Sequence, residues 1–126
     1  MIFNAKQHKF GVGQEKKVLP ILKEHFSSDI KPHESWNSKH DFFDDNFNYE
    51  LKSRTVKSTS FRDTLLPIDK VAGDKKLMFI FNYTDCLGFI VYDKEKFDGY
   101  EKKYVRGETK LHYLIPVCDL ELIKTW

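Results

Sequence analysis

The segment between Lys39 and Arg54 constrains the fold more tightly than any other part of the chain. The run Phe47-Asn48-Tyr49-Glu50-Leu51-Lys52 alternates apolar and polar side chains, the period of a strand with two unlike faces. Asp44-Asp45-Asn46 precedes it, and such residues favour turns because their side-chain oxygens bond nearby backbone N–H groups. A shorter strand, Lys39 to Phe43, leads into that turn. A two-residue loop at Asp45-Asn46 pairs Asp44 with Phe47, Phe43 with Asn48 and Asp41 with Glu50. Directly opposed residues share a face. Lys39, Asp41, Asn48, Glu50 and Lys52 therefore lie together, while Phe42, Tyr49 and Leu51 turn to the core, with Phe43 the misfit on the polar face.

The rest of the chain supplies a frame for this hairpin. Val18, Leu19, Leu22 and Phe26 recur at helical spacing and predict a helix over 13–27. Pro20 predicts a kink or a break there, since an interior proline costs about 3 kcal/mol. Ser27 to Ser38 reads as a loop, Thr55 to Asp63 as an exposed mobile loop, and Leu65 to Ala72 as a short helix, limited by Pro67 to a turn or two, ending at Gly73. Lys76 to Tyr83 and Leu87 to Tyr92 are strands joined at Thr84-Asp85. Lys94 to Arg106 is ambiguous; His112 to Ile115 and Leu120 to Ile123 suit an edge strand and a closing element. The expectation is one α/β (α+β) domain over residues 1–126, with a central mixed sheet of about four to five strands flanked by helices.

At 126 residues there is room for one domain, and eleven Phe and six Tyr supply enough bulk for a core without staples. Disorder is excluded on that ground. The formal net charge of +2 does not by itself announce a nucleic-acid binder, so any sorting of charge must come from positions. Cys86 and Cys118 stand far apart, with no zinc-finger spacing, and read as two reduced thiols, with a disulfide between them as the alternative. No apolar run suits a signal peptide or a membrane span, which predicts a cytoplasmic protein, or one inside a host cell if viral. Gly11-Val12-Gly13 lacks the rest of a phosphate loop, and the five histidines show no metal-ligand spacing.

Asp41, Glu50 and Lys52 on one face make a chemical unit. Two close carboxylates raise each other's pKa unless a cation sits between them. Oxygen donors of this kind suit Mg²⁺ or Mn²⁺, and Mg²⁺ is content with one or two carboxylates plus waters. Such an ion polarises a phosphodiester and lowers the pKa of a bound water. Lys52, two residues from Glu50 and on its face, is placed to orient the attacking water. The bland counterpart is a solvated strand face with a cross-strand charge pair, worth well under ~1 kcal/mol.

His40-Asp41, a short turn, and Glu50-Leu51-Lys52 together resemble the PD-(D/E)xK nuclease superfamily, which includes restriction endonucleases, junction resolvases and phage exonucleases. Asp41 takes the first acidic position, Glu50 the second and Lys52 the lysine; His40 stands where the eponymous proline would be. Glu15, in Gly13-Gln14-Glu15, resembles the glutamate that many members carry on the preceding helix. The resemblance covers roughly residues 13–92 and implies a restriction-endonuclease-like core of helix, hairpin strands, helix and strand. It implies a Mg²⁺-dependent deoxyribonuclease, with Mn²⁺ able to substitute, in which Asp41 and Glu50 hold metal, Lys52 positions water and Glu15 assists. The small size suits a structure-selective or nicking enzyme similar to the junction resolvases, and such enzymes usually act as homodimers.

For the substrate, Arg54, Lys57 and Arg62 follow the lysine directly, Lys70 precedes the next strand, and Lys102, Lys103 and Arg106 through Lys110 form a second basic stretch. These are the candidate phosphate contacts on DNA. Ordinary solvated charge is the alternative for each. A non-catalytic nucleic-acid-binding or protein-interaction domain of the same fold is the rival from another class.

Overall fold

The computed structural model describes residues 5–35, 38–105, 107 and 109–126, with side chains from residue 13 onward. Helix α1 spans Ala5–His25, and Pro20 lies inside it. The expected break does not occur: α1 is one run, longer at its start than the apolar spacing suggested. Val18 and Leu22 are fully buried while Pro20 is exposed, so the proline ring faces water, not the packed side. Gly11, Val12 and Gly13 are all helical, which removes any phosphate loop there.

Strands β1 (Lys31–Pro32), β2 (Phe42–Phe43), β3 (Phe47–Ser53), β4 (Asp63–Pro67), β5 (Lys76–Asn82) and β6 (Cys86–Val91) follow. After them come helix α2 (Lys94–Asp98) and strands β7 (Lys102–Tyr104), β8 (Leu111–Pro116) and β9 (Glu121–Thr125). The central sheet is mixed but has six strands, in the order β1-β2-β3-β5-β6-β9, where four to five were expected. A second, three-stranded sheet, β4-β8-β7, was not foreseen. The 65–72 segment is not a helix: Thr64 and Leu66 alternate inward on β4, and Pro67 ends the strand before a single 3-10 turn at Ile68–Lys70. Hence the connection from β3 to its parallel neighbour β5 passes through a strand of the second sheet, where the resemblance implied a helix. Gly73 does mark the end of this connection, with φ of +88°, a conformation that favours glycine. Ser27–Ser38 contains the short strand β1, the ambiguous 94–106 stretch resolves into α2 and β7, and 111–116 joins the second sheet.

Three layers result. Val18 and Leu22 of α1 pack with Phe42, Tyr49, Leu51, Met78, Ile80, Leu87 and Phe89 on one face of the six-stranded sheet. On the other face Phe79, Phe81 and Ile90 meet Leu66, Tyr113 and Ile115 of the second sheet, with Phe97 of α2. β5 lies between β3 and β6 and is covered on both faces, which is why Leu77-Met78-Phe79-Ile80-Phe81 reads as a continuous apolar run. Cys86 and Cys118 are both free thiols. Among the described residues no helix is long and apolar enough to cross a membrane.

Candidate active site at the open end of the hairpin

The hairpin has the expected register, Phe42 opposite Tyr49 and Phe43 opposite Asn48. Its turn is tied by Asp44, whose buried carboxylate accepts hydrogen bonds from Asn46 N–H (2.9 Å), Phe47 N–H (2.7 Å) and the Tyr49 hydroxyl (2.6 Å). Phe43, the misfit, stacks on His33, which pairs with Asn48 at 3.1 Å.

β2 is shorter than expected and stops at Phe42, so β3 runs on past its end. The next N–H of β3 on that side, that of Leu51, has no strand partner and donates instead to Asp41 Oδ2 at 2.8 Å. The Asp41 carboxylate thus takes the place of the missing backbone and fills the gap in the sheet. Through that gap two layers meet. Glu15 reaches Asp41 from α1, and Glu50 reaches it from the face toward the second sheet, each within hydrogen-bonding range of the Asp41 carboxylate. The hairpin and helix therefore bring Glu15, Asp41, Glu50 and Lys52 together. Glu15 lies well inside α1, so it does not serve the helix dipole at a first turn.

Protonation follows from this crowding. Burial, then the hydrogen bond and negative charge of Asp41, push Glu50 up to about 8 against the pull of Lys52 and Lys70. Burial and the Asp41 charge push Glu15 up to about 7. Burial alone would raise Asp41 as well, but hydrogen bonds from Glu50, Leu51 N–H and Glu15 outweigh it and hold Asp41 below its ordinary range. Of the three carboxyls, Asp41 is the one that ionises most readily. Burial lowers Lys52, assisted by the positive charges of Lys70 and Arg54 and opposed by Glu50.

Lys70 is part of this cluster. Its ammonium lies 2.8 Å from Glu50 Oε2, and the Glu50 charge outweighs burial to keep it protonated. Two contacts fix it from the segment beside Asp41: His40 Nε2 meets the Lys70 carbonyl at 2.8 Å, and Lys70 Nζ donates to the Lys39 carbonyl at 3.1 Å. Sequence spacing gave no sign of that role for His40, because the contact spans thirty residues. Glu50 Oε2 is buried and, apart from this ion pair, accepts no hydrogen bond.

A cleft of about 730 Å³ opens beside the cluster, with Lys52, Arg54, Lys70, Lys110 and His112 in its walls. Arg54 is anchored there by donating to the Leu65 carbonyl and, at 3.4 Å, to Thr64. The remaining candidates are distributed differently. Arg62 and Lys103 line a neighbouring cleft. Lys57 and Lys102 line neither cleft, and Lys102 turns toward α2, donating to the Asp98 and Tyr100 carbonyls. Arg106 lies outside the described residues. The 55–63 loop is exposed but tethered, since Ser58 N–H and hydroxyl both donate to Asp85 at 2.8 Å.

Among the described residues no three Asp, Glu, His or Cys side chains form a group arranged to hold a metal ion. Mg²⁺ asks for less, one or two carboxylates with the remaining positions given to water and substrate. Asp41 and Glu50 meet that smaller demand in number, a divalent ion then taking the place that the Lys70 ammonium holds beside Glu50 Oε2. Compared with protein-family models, with curated proteins and with solved structures, the chain finds no match.

Proposed function

We propose that the protein is a Mg²⁺- or Mn²⁺-dependent nuclease of the PD-(D/E)xK kind, hydrolysing DNA phosphodiester bonds, with a structure-selective or nicking preference. The observation that carries this reading is the Asp41 carboxylate joined to the carboxyls of Glu15 and Glu50, next to Lys52 and Lys70, which themselves line a cleft with cationic walls. Crowded carboxyls are costly to keep in a fold unless they hold a cation or move a proton.

Asp41 and Glu50 would hold the divalent ion, which when bound supplies Lewis acidity to a phosphoryl oxygen and acidity to water. The chain's own residues do the rest. Lys52, with its pKa lowered by burial, exchanges a proton more readily than an exposed lysine and orients the attacking water. Lys70 and Arg54, fixed from behind by backbone carbonyls, present cations to the phosphates on either side of the scissile bond. Glu15 holds the far side of Asp41 and keeps it aimed. Where both strands of a duplex are cut, a symmetric dimer would bring the second site.

A second reading has its own support. Lys70 already satisfies Glu50 at 2.8 Å, as a purely structural ion pair would, which suits a domain that binds nucleic acid without cutting it. Plasmid and branched DNA incubated with Mg²⁺, Mn²⁺ or EDTA separate the two readings. Metal-dependent cutting that Glu50→Gln and Lys52→Ala both abolish supports the nuclease. DNA binding indifferent to chelator, with no cutting in either metal, supports the binder.

A further inference from the structure

A second cleft, of about 540 Å³, adjoins the first, and the two share Arg54 and Leu65 in their walls. Its own walls include Phe61, Arg62, Lys103 and Asp63. Phe61 is 67% exposed, and the Arg62 side chain is 90% exposed and only loosely paired with Asp63, at 4.0 Å. The backbone around Phe61 is nonetheless held. Ser58 is bonded to Asp85 before it, and the Arg62 carbonyl accepts from Val117 N–H at 2.9 Å after it.

An isolated exposed apolar ring means little. Here the backbone that carries the ring is held, and the ring lines, together with Arg62 and Lys103, a cleft that shares the Arg54 and Leu65 walls of the one beside Lys52 and Lys70. We propose that this cleft receives an unpaired nucleic-acid strand, with Phe61 stacked on a base and Arg62 and Lys103 on its phosphates, while the neighbouring phosphate lies at Lys52 and Arg54. The proposal rests on the nuclease reading for what occupies the first cleft.

The choice of an unpaired strand follows from which surfaces each form offers. A duplex shows phosphates and base edges to the outside, and its base faces are covered by neighbouring pairs except at its ends. A ring in solvent that shares a cleft with cations suits a free base face joined to a phosphate, the recurring arrangement in single-strand binding. Asp63 disfavours phosphate near itself, which leaves the backbone to the Arg62 and Lys103 side. A strand crossing the Arg54 ridge would be cut where pairing ends, as at a flap, bubble or branch.

Fluorescence anisotropy in EDTA, at one fixed salt concentration, tests this with a labelled single-stranded oligonucleotide and the same sequence as a duplex. Phe61→Leu keeps an apolar side chain but removes the ring, and exposure of the site keeps folding out of question. The wild type binds the single strand more tightly than the duplex. Phe61→Leu weakens single-strand binding about tenfold, the loss of one base–aromatic stack, leaves duplex binding unchanged, and Phe61→Trp restores it. Single-strand binding unaltered in Phe61→Leu, tighter binding of the duplex, or no binding of either form overturns the inference. A separate cleavage assay on the same single strand with Mn²⁺ reads the nuclease proposal by itself. No cutting with Phe61-dependent binding overturns that reading alone; cutting with Phe61-independent binding overturns this inference alone.

Discussion

Replacing Asp44 with alanine should cost more stability than any other surface-proximal change in the hairpin, because one carboxylate serves three donors. It accepts from Asn46 N–H, Phe47 N–H and the Tyr49 hydroxyl, all within 2.9 Å. A hydrogen bond to a charged group contributes roughly 1.5–3 kcal/mol, and an orphaned buried donor costs about 1–3 kcal/mol. Asn46 is exposed and turns to water at little cost, whereas Tyr49 is 1% exposed and its hydroxyl has nowhere else to go. About 3–4 kcal/mol is therefore the expected loss for Asp44→Ala, a large share of the ~5–15 kcal/mol that holds a small domain together. Urea unfolding at pH 7 measures it. The pH dependence has a definite sign. Burial raises the Asp44 carboxyl, but the bonds from Tyr49, Phe47 and Asn46 outweigh burial and leave it below the ordinary value of 3.8. Its stabilisation is thus fully present above that value and is lost as pH falls through the lower folded-state pKa, so the alanine variant should lose less stability than wild type below about pH 4. Tyr49→Phe supplies the control. In the Asp44→Ala background it should be neutral or stabilising, since it removes the orphaned hydroxyl, while in the wild type it destabilises. Effects of the two substitutions that add to within about 0.5 kcal/mol would refute the reasoning, because directly bonded partners must couple.

Two further substitutions bear on the site itself. Glu15→Gln keeps the shape beside Asp41 and removes the charge; it should weaken Mn²⁺ affinity by about 10- to 100-fold, as loss of a supporting contact does, with Tm unchanged. An unaltered Mn²⁺ titration would take Glu15 out of the site. Lys70→Met frees Glu50 Oε2 from the ammonium 2.8 Å away, and unit charges ~4 Å apart at an effective dielectric of 20 exchange roughly 4 kcal/mol. Mn²⁺ should therefore bind at least about tenfold more tightly by calorimetry, while DNA affinity falls. A drop in Mn²⁺ affinity would mean that Lys70 organises the carboxylates instead of competing for them.

The parts legible in the sequence are those written locally. The alternation of Tyr49, Glu50, Leu51 and Lys52 set their two faces, and Asp44 and Asn46 set the turn between two paired strands. From these came the hairpin register, and with it the neighbourhood of Asp41, Glu50 and Lys52. What failed was non-local. β4 pairs with β8, Asp63 opposite Pro116 and Pro67 opposite His112. Nothing in Asp63-Thr64-Leu65-Leu66-Pro67 distinguishes a strand awaiting a distant partner from a short helix, and the five-residue run is too brief for period to decide. Missing β4 also meant missing the second sheet, hence the clefts, hence Phe61. Pro20 does not split α1 in two, because a single lost hydrogen bond is outweighed by burial of Val18 and Leu22 on the packed side of the helix.

The irregular end of β2 explains why the acidic cluster exists. A strand one or two residues longer would pair with Leu51 N–H through backbone, close the sheet edge, and separate α1 from the inner face on which Glu50 lies. Because β2 stops at Phe42, a side chain must satisfy that N–H, and an aspartate does it at 2.8 Å. The same bond fixes Asp41 where Glu15 and Glu50 converge and stabilises its ionised form. Asp41 is therefore held in place independently of whatever it binds. Removing it costs a backbone partner as well as a charge, so Asp41→Ala confounds stability with chemistry. Asp41→Asn keeps an acceptor for Leu51 and removes only the charge. If Asp41→Asn folds as the wild type does and still cuts DNA at the wild-type rate, the carboxylate is merely a patch on a frayed sheet, and the nuclease reading loses its centre.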